Sequence, residues 1–328
     1  MRIQMFYNFL LGCVVCSSFT LFSEDRQTYT LVKPNYRKNN VKVFADALYW
    51  YTSETVDWAF TLSSTPNTVK ASYKTFTFDW KPGFRVGLGY NMNSNLWDTT
   101  LSYTWFRSKA NDETHGSVTP AFLAARLSLL EPFAFGIASL DINYNMFDFQ
   151  FGRNICACKG LLLKPTLGVR GGWIDQTINS SWERDIFGTH TATEDLKQHF
   201  QCGGPSGGVT LKWCTETTQF HRFSLIGQFT SDFLWGHWSI TDQFTDNLFF
   251  TEIEVKTLDR NFGCFVLRGF LGAEWSWLNC CHTPFINIRL GYEMENWFNQ
   301  FQIFSDASGS QNNNLILQGA NFCLQVAF

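Results

Sequence analysis

The strongest constraint on this chain is a two-residue alternation of apolar and polar side chains that starts near residue 41 and runs to the final residue. The last fifteen residues, 314–328, read N-L-I-L-Q-G-A-N-F-C-L-Q-V-A-F. From position 320, one face carries Ala320, Phe322, Leu324, Val326 and Phe328, and the other carries Asn321, Cys323, Gln325 and Ala327. Successive strand side chains point to opposite faces, so this is a strand with one apolar and one mostly polar side. The pattern recurs in 83–92, where Phe84, Val86, Leu88 and Tyr90 oppose Arg85, Gly87, Gly89 and Asn91. It recurs again in 97–107, 263–278 and 285–295. A two-faced strand that reaches the chain end is suited to pair with the first strand and close a sheet into a barrel.

Composition decides where such a sheet can live. Charged residues make up only 16% and aromatics 17%, with 34 Phe, 13 Trp and 10 Tyr, yet mean hydropathy is −0.12. Beyond the amino-terminus no apolar run approaches the ~20 residues a spanning helix needs. That pairing fits a transmembrane barrel with a lipid-facing aromatic surface and a polar interior. A soluble sandwich or lipocalin-like barrel would bury the apolar face, whereas the aromatics here gather at strand ends, as interfacial girdles do. The net charge of −3 and the lack of a basic patch exclude nucleic acid as a partner. At the amino-terminus, Arg2, the apolar run 5–21 and Ser23 before Glu24 read as a cleaved signal peptide, residues 1–23. The string Leu10-Leu11-Gly12-Cys13 resembles a lipoprotein box, but the apolar run before it is too short. Residues 24–40 read as a periplasmic arm and 41–328 as the barrel.

The fold class read from the pattern is all-β: a transmembrane antiparallel up-and-down barrel of about twelve strands. They are 41–52, 56–62, 72–79, 83–92, 97–107, 139–153, 161–176, 207–215, 220–233, 263–278, 285–295 and the closing strand. The stretches 109–138, 177–205 and 235–261 read as long loops. Splitting the last into a hairpin raises the count to fourteen. Residues 121–130 are Ala/Leu-rich and read as a short helix, in a loop able to fold inward and narrow the lumen. In 139–153 the apolar face slips by one residue near Met146, which reads as a bulge. Long connections follow odd strands and short ones follow even strands. This parity puts both termini in the periplasm, because outer-membrane barrels have long external loops and short periplasmic turns.

The inward-facing charges are the candidate functional residues: Arg85, Asp98, Lys164, Arg170, Lys212, Arg222, Arg268, Glu274, Arg289 and Glu293. Charges facing a watery lumen stay hydrated, and facing lipid at midplane they would cost ~2–4 kcal/mol each. Rings of charge set pore selectivity, and the excess of Arg and Lys points to a weak anion preference. The alternative is a salt-bridge network filling a narrow, closed barrel.

Eight cysteines follow the signal segment, an unusual number for an oxidising periplasm. Cys156 with Cys158, Cys280 with Cys281, and Cys214 fall at the short turns and read as candidates for disulfide cross-links to other envelope proteins. A thiolate metal site lacks accompanying His at ligand spacing, and incidental free thiols are the third reading. Cys323 faces inward on the closing strand. His190, His199, His221 and His237 are scattered without a nucleophile, so the chain reads as no enzyme, with no cofactor. Phe328 reads as the signal for the barrel-assembly machinery.

Several segments together resemble a known family. F-A-D-A-L-Y-W-Y-T-S-E-T-V-D-W at 44–58, F-D-W-K-P-G-F-R-V-G-L-G-Y at 78–90 and W-D-T-T-L-S-Y-T-W-F at 97–106 are similar to the Legionella-type pore-forming outer membrane proteins, which are related to chlamydial major-outer-membrane-protein-like porins. L-K-P-T-L-G-V-R-G-G-W-I-D-Q at 163–176 and the final strand continue the likeness. The resemblance implies an outer-membrane porin that passes small hydrophilic solutes or ions. It also implies a Gram-negative, chlamydia-like envelope in which the porin joins a disulfide-linked complex with cysteine-rich envelope proteins. Arg85 and Arg170 match the family's G-F-R and V-R-G positions. The rival reading is a structural envelope protein or adhesin with little conductance. Outer-membrane lipid is the expected surrounding, and the sequence leaves homo-oligomer formation open.

Overall fold

The computed structural model describes residues 40–328 apart from 66–67, 93–96, 123–131, 159, 186–188, 216–219, 248–251, 279–283 and 306–308. The signal and arm segments, the body of the 121–130 helix, Cys280 and Cys281 therefore lie outside the described residues.

The described chain is all-β. Its strands are β1 (Asn40–Ser53), β2 (Asp57–Thr65), β3 (Thr68–Thr75), β4 (Lys81–Met92), β5 (Trp97–Pro120), β6 (Phe133–Arg153) and β7 (Ile155–Cys158). They continue as β8 (Leu161–Asp185), β9 (Thr189–Cys214), β10 (His221–Asp246), β11 (Glu252–Leu278), β12 (Pro284–Ser305) and β13 (Gly309–Ala327). Ten of them close a ring in the order β1-β4-β5-β6-β8-β9-β10-β11-β12-β13, every neighbour antiparallel. The ring closes where β13 pairs with β1, from Lys42↔Ala327 to Ser53↔Ile316, and the Phe328 amide donates to the Val41 carbonyl at 2.9 Å. The closing strand does what its alternation predicts: Phe322 and Leu324 point outward while Asn321 and Cys323 are buried inside.

The barrel therefore has ten strands, not twelve or fourteen. The segments 56–62 and 72–79 do form a hairpin, β2–β3, but it stands outside the ring. It is held by three pairs to the far end of β5, Ala59↔Pro120 to Thr61↔Val118. Period-2 patterning reports a strand but not whether its second edge finds a partner in the wall. Because the miscount is even, the loop parity survives: both described chain ends and the short turns share one end of the barrel, called proximal here. The connections read from the sequence as long loops share the other, distal end.

The long loops are a second correction. Stretches 109–120, 177–185, 189–205 and 235–246 are strand, continuous with the wall. Strands β8 to β11 are 25–27 residues long, whereas a tilted membrane strand needs ~9–11. The wall therefore rises far beyond a bilayer. The segment predicted to fold inward as a constriction is in its described part wall as well.

The third correction concerns Met146. The pairing of β6 with β5 and β8 runs through that position without a register shift, so no bulge exists there. The faces keep strict alternation: Leu140, Ile142, Tyr144 and Met146 are buried inside, and Phe147 and Phe149 are exposed outside. What changes at Met146 is the medium outside the wall. Proximal to it, outward residues are apolar, among them Val86, Leu88, Leu101, Leu167, Val169, Leu225, Leu271 and Leu290. This belt is bounded by aromatics, with Trp97 stacked on Phe151 at 4.5 Å on one rim. On the other rim, Phe84 stacks on Trp105 at 5.5 Å, and Tyr103 and Phe147 sit 4.8 Å apart. Trp97 and Trp105 lie eight residues apart on β5, ~20 Å along the barrel axis at a tilt of ~40°, close to the ~25 Å of an outer-membrane apolar band.

Candidate functional site

The site is the lumen, which has three storeys. Alternation sends even-numbered residues of β1, β5, β6 and β8 to β11, and odd-numbered residues of β4, β12 and β13, into it. All ten charges expected to line it do face inward. Four are in a central lattice, and the other six lie toward the proximal end.

The lattice joins seven of the ten wall strands, β1, β4, β6, β8, β10, β11 and β12, including strands from opposite sides of the ring. Arg85 on β4 reaches Asp46 and Glu293 at 3.1 Å each and Glu295 at 3.9 Å. Arg170 on β8 binds Glu295 at 2.7 Å and Asp232 at 3.2 Å and faces Asp148 at 3.8 Å. Arg268 grips Asp232 with two nitrogens at 2.9 Å and Asp148 at 3.0 Å. The Tyr144 hydroxyl donates to Glu295 at 2.7 Å and accepts from Arg170, and the Trp50 indole donates to Glu293 at 2.9 Å. Tyr144 on β6 and Glu295 on β12 stand five places apart in a ten-strand ring, so these bonds cross the full bore. Arg170 and Asp232 side chains are 0% exposed while Arg85 and Arg268 are 15% exposed, so the lattice is tightly packed with a dry centre. Ten strands are only slightly wider than the eight whose interior side chains just fill a barrel, so long Arg and Glu side chains meet in the middle. Charges this dry are tolerated because each guanidinium fork is matched by two or three carboxylates.

Sequence reasoning found Arg85, Arg170, Arg268 and Glu293 but missed Asp46, Asp148, Asp232, Glu295 and Tyr144. The signal was present. Asp46 alternates with Ala45 and Ala47, and Asp148 lies between Phe147 and Phe149. Both sit in runs so apolar that the lone acid is easily passed over.

Proximal to the lattice, Lys164 pairs with Asp98 at 2.8 Å and Lys212 pairs with Glu274. Arg289 stands 3.6 Å from Asp46 and lies over the Phe270 ring at 4.9 Å. Arg222 projects nearer the proximal rim. Lys42 on β1, absent from the sequence reading, lies within electrostatic reach of both Lys–carboxylate pairs.

Distal to the lattice the lumen is an aromatic core. Trp50 packs on Phe106 with ring centroids 5.2 Å apart, Phe200 on Trp238 at 4.1 Å, and Trp238 stacks on Phe262 at 3.9 Å. The outlying hairpin adds Trp58, which packs on Trp182 at 5.3 Å and donates to Asp112 at 3.0 Å. A chain of amides runs through this core. The Gln302 backbone donates to the Gln198 side chain at 2.8 Å, and Gln198 donates to Gln176 at 2.8 Å. Gln176 in turn donates to both oxygens of Glu54 at 2.8 Å. Glu54 lies in the connection after β1, beyond the apolar belt. Burial pushes its carboxyl up to about 8, offset in part by the Gln176 bond.

On the outer surface of the distal wall, His199 contacts Asp175. The histidines are therefore not all solitary, although no nucleophile accompanies this pair among the described residues. Cys156 and Cys158 are exposed on β7 at the proximal end, Cys214 is half-buried beside Ser224, and Cys202, Cys264 and Cys323 point inward; all six are free thiols.

Among solved structures, the outer membrane protease OmpT from Escherichia coli is similar over 92% of this chain and 100% of its own, at 14% identity and a TM-score of 0.43. The CymD monoaromatic hydrocarbon channel is similar over 88% of both chains, at 8% identity and a TM-score of 0.34. The P. putida toluene transporter TodX covers 88% of this chain and 90% of its own, at 7% identity and a TM-score of 0.26. At such scores these likenesses carry no argument about this chain. No curated protein is detectably similar in sequence. One family profile does match, over residues 33–328, which is the whole barrel with its closing strand and lumen charges. The chain belongs to the family of the Legionella pneumophila major outer membrane protein precursor and is an outer-membrane β-barrel.

Proposed function

We propose that the protein is an outer-membrane channel for small hydrophilic solutes or ions, closed at rest by its own charges. The observation that carries this reading is the sharing of Glu295 between Arg85, 3.9 Å away, and Arg170, 2.7 Å away. A guanidinium with several carboxylates in reach can exchange partners without ever being left unpaired, so the lattice can part and re-form at modest cost. A lumen filled only by apolar contacts would offer no hydrated path, whereas this storey is lined by groups that water and ions solvate. The proximal end then faces the periplasm, as the short turns there suggest. Passage also requires the distal aromatic core to shift.

Planar-bilayer recording of refolded protein tests the proposal. The parent should show rare, small openings, and Glu295→Gln, which weakens the shared acceptor, should open more often. If both fold and neither passes current, the channel reading fails. The second reading, a structural envelope barrel with little conductance, is favoured by the dry centre at Arg170 and Asp232 and would then stand. For Cys156, Cys158, Cys214, Cys280 and Cys281 we propose disulfide cross-links to cysteine-rich envelope proteins, supported by the exposure of the first two at the proximal end. A protein that runs as a monomer on non-reducing gels of intact envelopes would remove that proposal.

A further inference from the structure

The lumen charge is not spread evenly along the axis. In the lattice, three arginines (Arg85, Arg170, Arg268) meet five carboxylates (Asp46, Asp148, Asp232, Glu293, Glu295), an excess of negative charge. Proximal to it, Lys42, Lys164, Lys212, Arg222 and Arg289 share their height with Asp98 and Glu274 alone, an excess of positive charge, and Arg289 also approaches Asp46 of the lattice. Accessibility changes in the same direction. Lys164 and Lys212 side chains are 24% exposed and Arg289 25%, although all three point into the barrel, while Arg170 above them is 0% exposed. Side-chain exposure thus falls from the proximal cations through Arg85 and Arg268, at 15%, to Arg170.

We propose that this proximal vestibule is a binding site for a small oxyanion of phosphate class. Two of its cations are uncommitted: among the described residues neither Lys42 nor Arg222 has a carboxylate within 4.0 Å. A third is under-used, because Arg289 touches Asp46 only at 3.6 Å and its buried Nε has no partner. Holding unpaired cations together in a low-dielectric bore is unfavourable unless an anion neutralises them. Guanidinium forks beside ammonium groups match the several oxygens of an oxyanion better than a spherical halide. The lattice behind the site, being net negative, opposes passage of the anion onward, so the vestibule retains what it attracts. The site depends on barrel closure alone. A barrel that passes no current yet binds phosphate would sink the channel proposal and leave this one intact.

Isothermal titration of inorganic phosphate into the refolded full-length protein in detergent, with ³¹P line broadening as a second readout, tests it. One saturable site is expected, weakened at least tenfold by Lys42→Gln and by Arg222→Gln. Lys197→Gln, on the exposed outer wall, should leave it unchanged. If Lys42→Gln fails to fold, Arg222→Gln decides the matter by itself, since Arg222 makes no ion pair to lose. The proposal is overturned if phosphate does not bind, if Lys197→Gln weakens it as much as Arg222→Gln does, or if equal concentrations of chloride displace it fully.

Discussion

Within β8 the two halves of the molecule can be compared directly. In its proximal half, Leu167 and Val169 point outward and Arg170 points inward. A few residues on, Asp175 and Thr177 face outward while Ile174, Ile178 and Trp182 are buried inside. The backbone alternation never breaks, so the exchange of roles reflects the surroundings alone. Where lipid lies outside, apolar side chains belong on the outer face and the lumen takes the charges. Where water lies outside, the wall behaves as a soluble barrel does and packs an aromatic core within. One strand thus obeys two opposite patterning rules, and the crossover marks the edge of the membrane more sharply than loop length does.

Arg170→Ala strips the common partner from Asp148, Asp232 and Glu295 and should cost about 3–5 kcal/mol, because buried charges are left uncompensated. The midpoint of urea unfolding from detergent measures this, and an unchanged midpoint would mean that the lattice is hydrated rather than dry. In the other half, Trp238→Ala should cost about 3–5 kcal/mol by a different route, the loss of packing against Phe200 and Phe262. If that variant is nearly neutral, the distal storey is not a core.

Glu54 supplies a test by pH. Its carboxyl is held near 8 in the folded chain against 4.5 as a free group, so between those values the folded state binds the extra proton. Stability is therefore full below about pH 4.5 and falls as pH rises toward 8, by up to about 1.4 kcal/mol per unit and on the order of 5 kcal/mol in all. Glu54→Gln should flatten the profile and be the more stable protein at pH 9, with little difference at pH 4. Parallel profiles for the two proteins would contradict the burial of that carboxyl. The smallest effects come from a paired substitution on the outer face of β8. Leu167→Arg should cost about 2–4 kcal/mol if position 167 faces lipid, whereas Asn179→Arg, twelve residues on and facing water, should change stability by less than about 0.5 kcal/mol. Equal costs for the two would mean the belt has been drawn in the wrong place.

Much of this was legible in the residues. The alternation in 83–92, 97–107 and 263–278 marked true wall strands, and every charge picked out by it faces the lumen. The distal strands escaped because 177–205 and 235–261 carry polar residues outward and mix Gln, Ser and Glu with Ile, Phe and Trp inward. Such a pattern reads as loop wherever lipid is taken to lie outside, and here water does. Cys156 and Cys158 were legible as accessible groups, and the structure exposes both on β7.

Period-2 patterning is a local property that each strand carries alone, so the residues specify a two-faced sheet and a closing strand without any tertiary context. How many strands share the wall is settled by long-range pairing, since the hairpin at 57–75 reads like any other and is excluded by the pairing of β1 with β4. Only the tertiary structure decided which charges meet across the bore. Arg170 and Glu295 lie 125 residues apart, and their contact depends on ring order and bore width, which no single segment encodes.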